Sequence, residues 1–137
     1  MRPDLSPYLA FEGEAREALE FYARALGGEP LVEAYGQHGA SQDPADHDRV
    51  LYGVLRTPDG FVIRVTDTPT AASLTRGDAY SVCLNGDDDD LLRGCWARLA
   101  AGARVDQELA VSAWGDAYGR LTDRFGVVWQ VNIGASE

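Results

Sequence analysis

The sequence predicts an α+β fold of two βαβββ modules, and three observations predict it. The strand, turn and strand of Trp114 to Asn132 have a partial copy 66 positions earlier: Tyr52-Gly53-Val54-Leu55 corresponds to Tyr118-Gly119-Arg120-Leu121, and Gly60, Val62 and Val65 correspond to Gly126, Val128 and Val131. Tyr22-Ala23-Arg24 corresponds to Trp96-Ala97-Arg98 at a spacing of 74, and Gly28 to Gly102 at the same spacing. Helix and strand periodicities also follow one another in the same order in both halves. A hairpin and a helix that recur in one order mark a duplicated unit. The modules span 4–67 and 78–134 of a single domain, 1–137, and the spacing drops because the first module carries the longer loop.

Taken in order, Leu5 to Phe11 alternates as a strand, with Leu9 and Phe11 on one face and Ser6, Tyr8 and Ala10 on the other. Gly13 opens a helix whose Ala15, Ala18, Leu19, Tyr22, Ala25 and Leu26 form one apolar stripe; Glu14, Glu17 and Glu20 load its N-terminal half, where negative charge is favourable. Gly27 and Gly28 stop it. Leu31 to Tyr35 is a short strand, and Gly36 to Asp48, rich in Gly, Gln, His, Ser and Asp, reads as a mobile loop. Arg49 to Arg56 and Phe61 to Thr66 are strands joined by a tight turn at Thr57-Pro58-Asp59-Gly60. Thr68 to Gly77 connects the halves.

The second half repeats the order. Tyr80 to Leu84 is a strand, Asp87 to Asp90 cap a helix, and Leu92, Cys95, Trp96 and Leu99 form its buried stripe. Ala103 to Leu109 is the next strand, and the hairpin closes the chain. In the last strand of each module one face is apolar and the other mixed. Phe61, Ile63 and Val65 oppose Val62, Arg64 and Thr66, and Val127, Trp129 and Val131 oppose Val128, Gln130 and Asn132. Arg64 and Gln130 are repeat mates.

Composition excludes several function classes. The net charge is −10 and all twelve basic residues are arginines, so phosphate repulsion disfavours nucleic acid and anionic membranes as partners. The absence of lysine excludes a lysine Schiff base, and with it pyridoxal-phosphate or class I aldolase chemistry. No run approaches the roughly 18 apolar residues that span a bilayer, and Met1 to Ser6 has no apolar secretory region, so a cytoplasmic location is expected. Cys83 and Cys95, without CxxC spacing, read as two buried reduced thiols.

Pro7-Tyr8-Leu9-Ala10-Phe11-Glu12-Gly13, Glu17-Ala18-Leu19-Glu20-Phe21-Tyr22, Leu26-Gly27-Gly28, Trp114-Gly115 and Asp123-Arg124-Phe125-Gly126-Val127-Val128-Trp129 together resemble the vicinal-oxygen-chelate superfamily. Within it the chain is similar to the PhnB-like branch of the glyoxalase and bleomycin-resistance group. That resemblance implies mixed sheets curled around an open cup, helices on the outer face, and a homodimer. The branch is sometimes labelled as ubiquinone-related methyltransferases; no glycine-rich nucleotide loop is present to support methyl transfer.

Metal-dependent relatives place His or Glu at four cup positions, which the resemblance carries onto Ser6, Arg64, Tyr80 and Gln130. None is an ordinary divalent-cation ligand, and a guanidinium repels the ion. The histidine frequent on the third strand of PhnB-like chains is here Tyr52. No cofactor is therefore expected, with a divalent metal held in an unexpected way as the alternative. His38 and His47 share an acidic loop with Asp43, Asp46 and Asp48, a donor set without rigid metal-motif spacing. No serine lies in a G-x-S-x-G setting, and Asp87 to Asp90 lacks the ligand alternation of a calcium loop.

What remains is the cup that the resemblance implies, lined by Tyr8, Tyr52, Tyr80, Trp114 and Tyr118, with Arg64 and Gln130 related by the repeat and Asp67 at the end of the fourth strand. Stacking area with a few directional polar groups suits a small, partly aromatic ligand. The expectation is a metal-independent small-molecule-binding protein, possible roles being drug or metabolite sequestration. The alternative is an enzyme of the same fold, a lyase, isomerase or dioxygenase, using Asp67 and a tyrosine as acid and base or using a metal.

Overall fold

The computed structural model describes residues 2–134 and divides into two compact units, Met1–Thr75 and Arg76–Glu137. The first contains β1 (Tyr8–Phe11), α1 (Ala15–Leu26), β2 (Glu29–Ala34), the four-residue α2 (Tyr35–His38), a 3-10 turn at Pro44–Asp46, β3 (Val50–Arg56) and β4 (Val62–Asp67). The second contains β5 (Val82–Gly86), α3 (Asp89–Leu99), β6 (Arg104–Val111), β7 (Ala117–Thr122) and β8 (Val128–Ile133). Each unit is one four-stranded mixed sheet, ordered β1-β4-β3-β2 or β5-β8-β7-β6. The helix of each unit connects the two outermost strands, so the first strand pairs in parallel with the fourth and the remaining pairs are antiparallel. This is the α+β, twice-repeated βαβββ order expected from the sequence.

Each sheet buries one face under its helix. In α1, Ala15, Ala18, Leu19, Tyr22, Ala25 and Leu26 are all buried, as their spacing requires, and Phe21 joins them. In α3 the buried residues are Leu92, Cys95, Trp96 and Leu99, and the Asp88 side chain caps the helix by accepting from the Leu91 amide. On β4 and β8 burial alternates in the same phase: Ile63 and Val65, like Trp129 and Val131, lie at 2% exposure or less, whereas Arg64 and Gln130 are only half-buried. Burial of each such apolar side chain contributes about 1.5–3 kcal/mol.

Close helix contact demands glycine on the third strand of each unit. A Cβ on Gly53 would stand 2.7 Å from Val65 Cγ2 and 3.1 Å from Leu19 Cδ2; one on Gly119 would stand 2.8 Å from Trp96 Cη2 and 2.9 Å from Leu109 Cα. The repeated Tyr-Gly of the sequence thus has a packing cause.

Several sequence expectations are corrected. The first strand begins at Tyr8 rather than Leu5, so Ser6 precedes it, and β5 begins at Val82, which leaves Tyr80 outside the sheet and 91% exposed. The segment read as a mobile loop, Gly36 to Asp48, is organised. The Gly36 amide donates to the His47 carbonyl, and the buried Asp46 carboxylate accepts from Ser41 Oγ, Thr70 N and Thr70 Oγ1. Those hydrogen bonds, the one from Ser41 foremost, hold the Asp46 carboxyl below the usual carboxylate range. Of the two cysteines read as buried, Cys95 is buried but Cys83 is exposed, because Cys83 stands beside Gln130 on the sheet face away from α3. Partial burial still pushes its thiol pKa up.

Candidate ligand-binding faces

The face of each sheet turned away from its helix carries the polar and aromatic groups. In the first unit, β-register places Tyr8 directly beside Arg64, and the Tyr8 and Tyr52 rings lie 6.3 Å apart. Arg64 is the hub of this face. Its Nε donates to Tyr52 Oη at 3.2 Å, its Nη1 to Ser6 Oγ and Asp4 Oδ1 at 2.7 Å each, and its Nη2 to Asp4 Oδ2 at 3.2 Å. The Arg64 side chain is only 17% exposed, and Arg56 Nη1 reaches Asp4 Oδ2 at 3.4 Å. Hydrogen bonding to Arg64 holds the Asp4 carboxyl below its ordinary range, while the Arg64 guanidinium is pushed up, chiefly by Asp4. Burial, reinforced by Tyr52, raises the Tyr8 phenol.

In the second unit the repeat mate of Arg64 is Gln130. Its Oε1 accepts from Tyr118 Oη at 2.5 Å and its Nε2 donates to Ser81 Oγ at 2.7 Å. The Trp114 and Tyr118 rings are 5.5 Å apart, and Trp114 is 62% exposed. Asn132 donates to Asn85 and to Asp116 on the same face. Tyr52 with Arg64 and Tyr118 with Gln130 are therefore the same tyrosine-to-strand pairing made twice, once with a cation and once with a neutral amide.

Of the eight residues read as lining a cup, the first unit brings together Tyr8, Tyr52 and Arg64, and the second brings together Trp114, Tyr118 and Gln130. Asp67 and Tyr80 are placed differently. Asp67 is in phase with Ile63 and Val65, so its carboxylate lies under α1, 1% exposed, and accepts from the Gly13, Ala15 and Val50 amides at 2.8, 3.0 and 2.9 Å. It anchors the helix N-terminus. Ser81, rather than Tyr80, is the counterpart of Ser6: each stands two residues before the strand residue that pairs with Arg64 or Gln130. Sequence reading missed Asp4 and Ser81. The shared Ser-x-x-Leu of Ser6 to Leu9 and Ser81 to Leu84 was the available signal for the second.

The metal reading is tested by donor chemistry. The first unit offers a hydroxyl and a guanidinium already paired with Asp4, and the second offers an amide and a hydroxyl already paired with each other. Neither set supplies the several carboxylate, imidazole or thiolate donors that hold a transition-metal cation, and the guanidinium repels one. Among the described residues no three His, Cys, Asp or Glu side chains converge as a metal-holding group. In the acidic loop, His38 lies 3.4 Å from Glu33, and Asp46 is fully engaged by Ser41 and Thr70. His47 lines a shallow recess of about 510 Å³ with Tyr35, Ser41 and Pro44.

A family model described as 3-demethylubiquinone-9 3-methyltransferase matches residues 3–132. The crystal structure of protein PA1353 from Pseudomonas aeruginosa is 32% identical, with a TM-score of 0.81 over 98% of this chain and 100% of that one. A Bacillus cereus structure described as a putative 3-demethylubiquinone-9 3-methyltransferase, PhnB protein, is 21% identical, with a TM-score of 0.77 over 96% and 100%. A glyoxalase/bleomycin resistance protein/dioxygenase family enzyme from Burkholderia phytofirmans is 17% identical, with a TM-score of 0.63 over 96% and 98%, and shares the fold.

Proposed function

The chain belongs to the PhnB-like family described as 3-demethylubiquinone-9 3-methyltransferase, within the vicinal-oxygen-chelate superfamily, and on that premise we propose that it binds a small organic ligand without a divalent metal. The observation that carries the proposal is the pairing of half-exposed aromatic rings with hydrogen-bonding groups on the helix-free face of each sheet: Tyr8 and Tyr52 around Arg64, Trp114 and Tyr118 around Gln130. Rings supply contact area and the polar groups supply direction.

Two features support binding over the catalytic alternatives. The first amides of α1, which in nucleotide-binding folds would be available to an anion, are occupied by Asp67. The same hydrogen bonds keep the Asp67 carboxylate under the helix, so it does not serve as an acid or base on the open face. A homodimer is the assembly that best suits the family premise.

A thermal-shift panel of small aromatic carboxylates, inorganic anions and cationic glycopeptides tests the proposal. Stabilisation by at least one class is expected, since a ligand present at 100 times its Kd adds about 2.7 kcal/mol to stability. Flat melting curves across all classes would overturn it.

A further inference from the structure

The N-terminal segment before β1 places a carboxylate where an anionic ligand would bind. Asp4 lies outside regular secondary structure, yet both its oxygens meet Arg64, one at 2.7 Å from Nη1 and the other at 3.2 Å from Nη2, and Arg56 approaches the second at 3.4 Å. Two parallel N–H···O bonds from a guanidinium are the geometry by which arginine recognises a carboxylate or phosphate from outside. The remaining wall is also suited to a ligand. Ser6 Oγ and Tyr52 Oη share the guanidinium, and Tyr8 stands beside it in register with 55% of its surface exposed.

The buried carboxylates of this unit differ in kind from Asp4. Asp67 and Asp46 are 1% and 2% exposed; Asp67 accepts from three backbone amides and Asp46 from the Thr70 amide and two hydroxyls, so they are fixed parts of the scaffold. The Asp4 side chain is 29% exposed, and its hydrogen-bond partners are the side chains of Arg64 and Arg56. Because Asp4 is held only by side chains and keeps part of its surface in water, an incoming anion that makes the same two-pronged contact can take its place on the guanidinium.

We propose that Arg64, with Ser6, Tyr52 and Tyr8, forms an anion subsite for a small aromatic carboxylate or phosphate-bearing ligand, and that Asp4 is its resident, displaceable occupant. This deepens the ligand-binding reading of the same face and rests on it. No covalent step is involved: the ligand anion replaces one carboxylate on the guanidinium, and Asp4 returns to water. Arg56 then faces either the freed Asp4 or the incoming anion.

The probes are benzoate and inorganic phosphate, titrated by calorimetry and by NMR of the Tyr8 and Tyr52 rings into the full chain and its D4N and R64Q variants. D4N removes the competitor and is expected to bind benzoate at least roughly fivefold more tightly than the parent chain, since even a screened surface ion pair opposes displacement on that scale. R64Q is expected to abolish binding; should it fold poorly, R64K, which keeps the charge and loses the fork, is expected to weaken it about tenfold. Preference for benzoate over phosphate identifies an aromatic carboxylate as the ligand, and the reverse preference identifies a phosphate-bearing one. Equal affinity in the parent and D4N chains, or no binding of either anion to D4N, would overturn the proposal. If, in that case, a cationic or neutral compound still stabilises the protein, the broader ligand-binding reading stands without it.

Discussion

The two units are built alike on the helix side and differ on the open side. Leu55 and Leu121, Val65 and Val131, and Gly53 and Gly119 occupy equivalent buried places, because each must fit against a helix. On the opposite face, the tyrosines 52 and 118 are kept while their partners diverge to Arg64 and Gln130. Packing constrains one face closely; the other, with no helix against it, carries different polar partners in the two units.

Buried carboxylates make the comparison sharper. Each unit has one that gathers three N–H groups, but not at equivalent positions. Asp67 gathers Gly13, Ala15 and Val50 and so ties helix, β3 and β4 together; its repeat mate is Ile133, an ordinary core residue. Asp123 gathers the Phe125 and Val127 amides and the Trp129 indole, fixing the last hairpin turn, where the first unit has Thr57 accepting from Phe61. The duplicated scaffold therefore reaches polar satisfaction by two different routes.

That difference sets the order of expected effects. Asp67→Leu strands two buried amides and one part-buried one and should cost about 3–5 kcal/mol, whereas Ile133→Leu at the equivalent position should cost under about 1.5 kcal/mol. Equilibrium urea unfolding measures both, and equal losses would break the contrast. Next in size are the strand glycines. Gly119→Ala should cost about 1–3 kcal/mol, because the added methyl meets the Leu109 backbone and the rigid Trp96 indole. Gly53→Ala should cost less, since the added methyl meets only one atom closer than 3.0 Å, Val65 Cγ2, and its nearest backbone atom is 3.6 Å away. Thermal melts of the two variants decide it; a larger loss at Gly53 would contradict the packing account.

Much of the scaffold was legible in the sequence, because helix stripes and strand alternation are imposed by burial and recur in both halves. The alternation also contained the answer for Asp67: its parity with Ile63 and Val65 puts it under α1, although its charge suggested the open face. Tyr80 was one residue out of register, since the strand start is set by pairing with β8 rather than by local pattern. Asp4 was not legible. Its role comes from a contact 60 positions away between an irregular segment and Arg64, and no periodicity encodes such a pair. The order of Gly36 to Asp48 was hidden for the same reason, as Asp46 is held by Thr70 from outside the loop.

The central proposal is that these faces bind an organic ligand without a divalent ion, and calorimetric titration of the untagged, chelator-treated protein with Mn(II) and Zn(II) tests it most directly. The prediction is no saturable one-to-one heat with either metal. A one-to-one site that disappears in Ser6→Ala or Gln130→Ala would contradict the proposal.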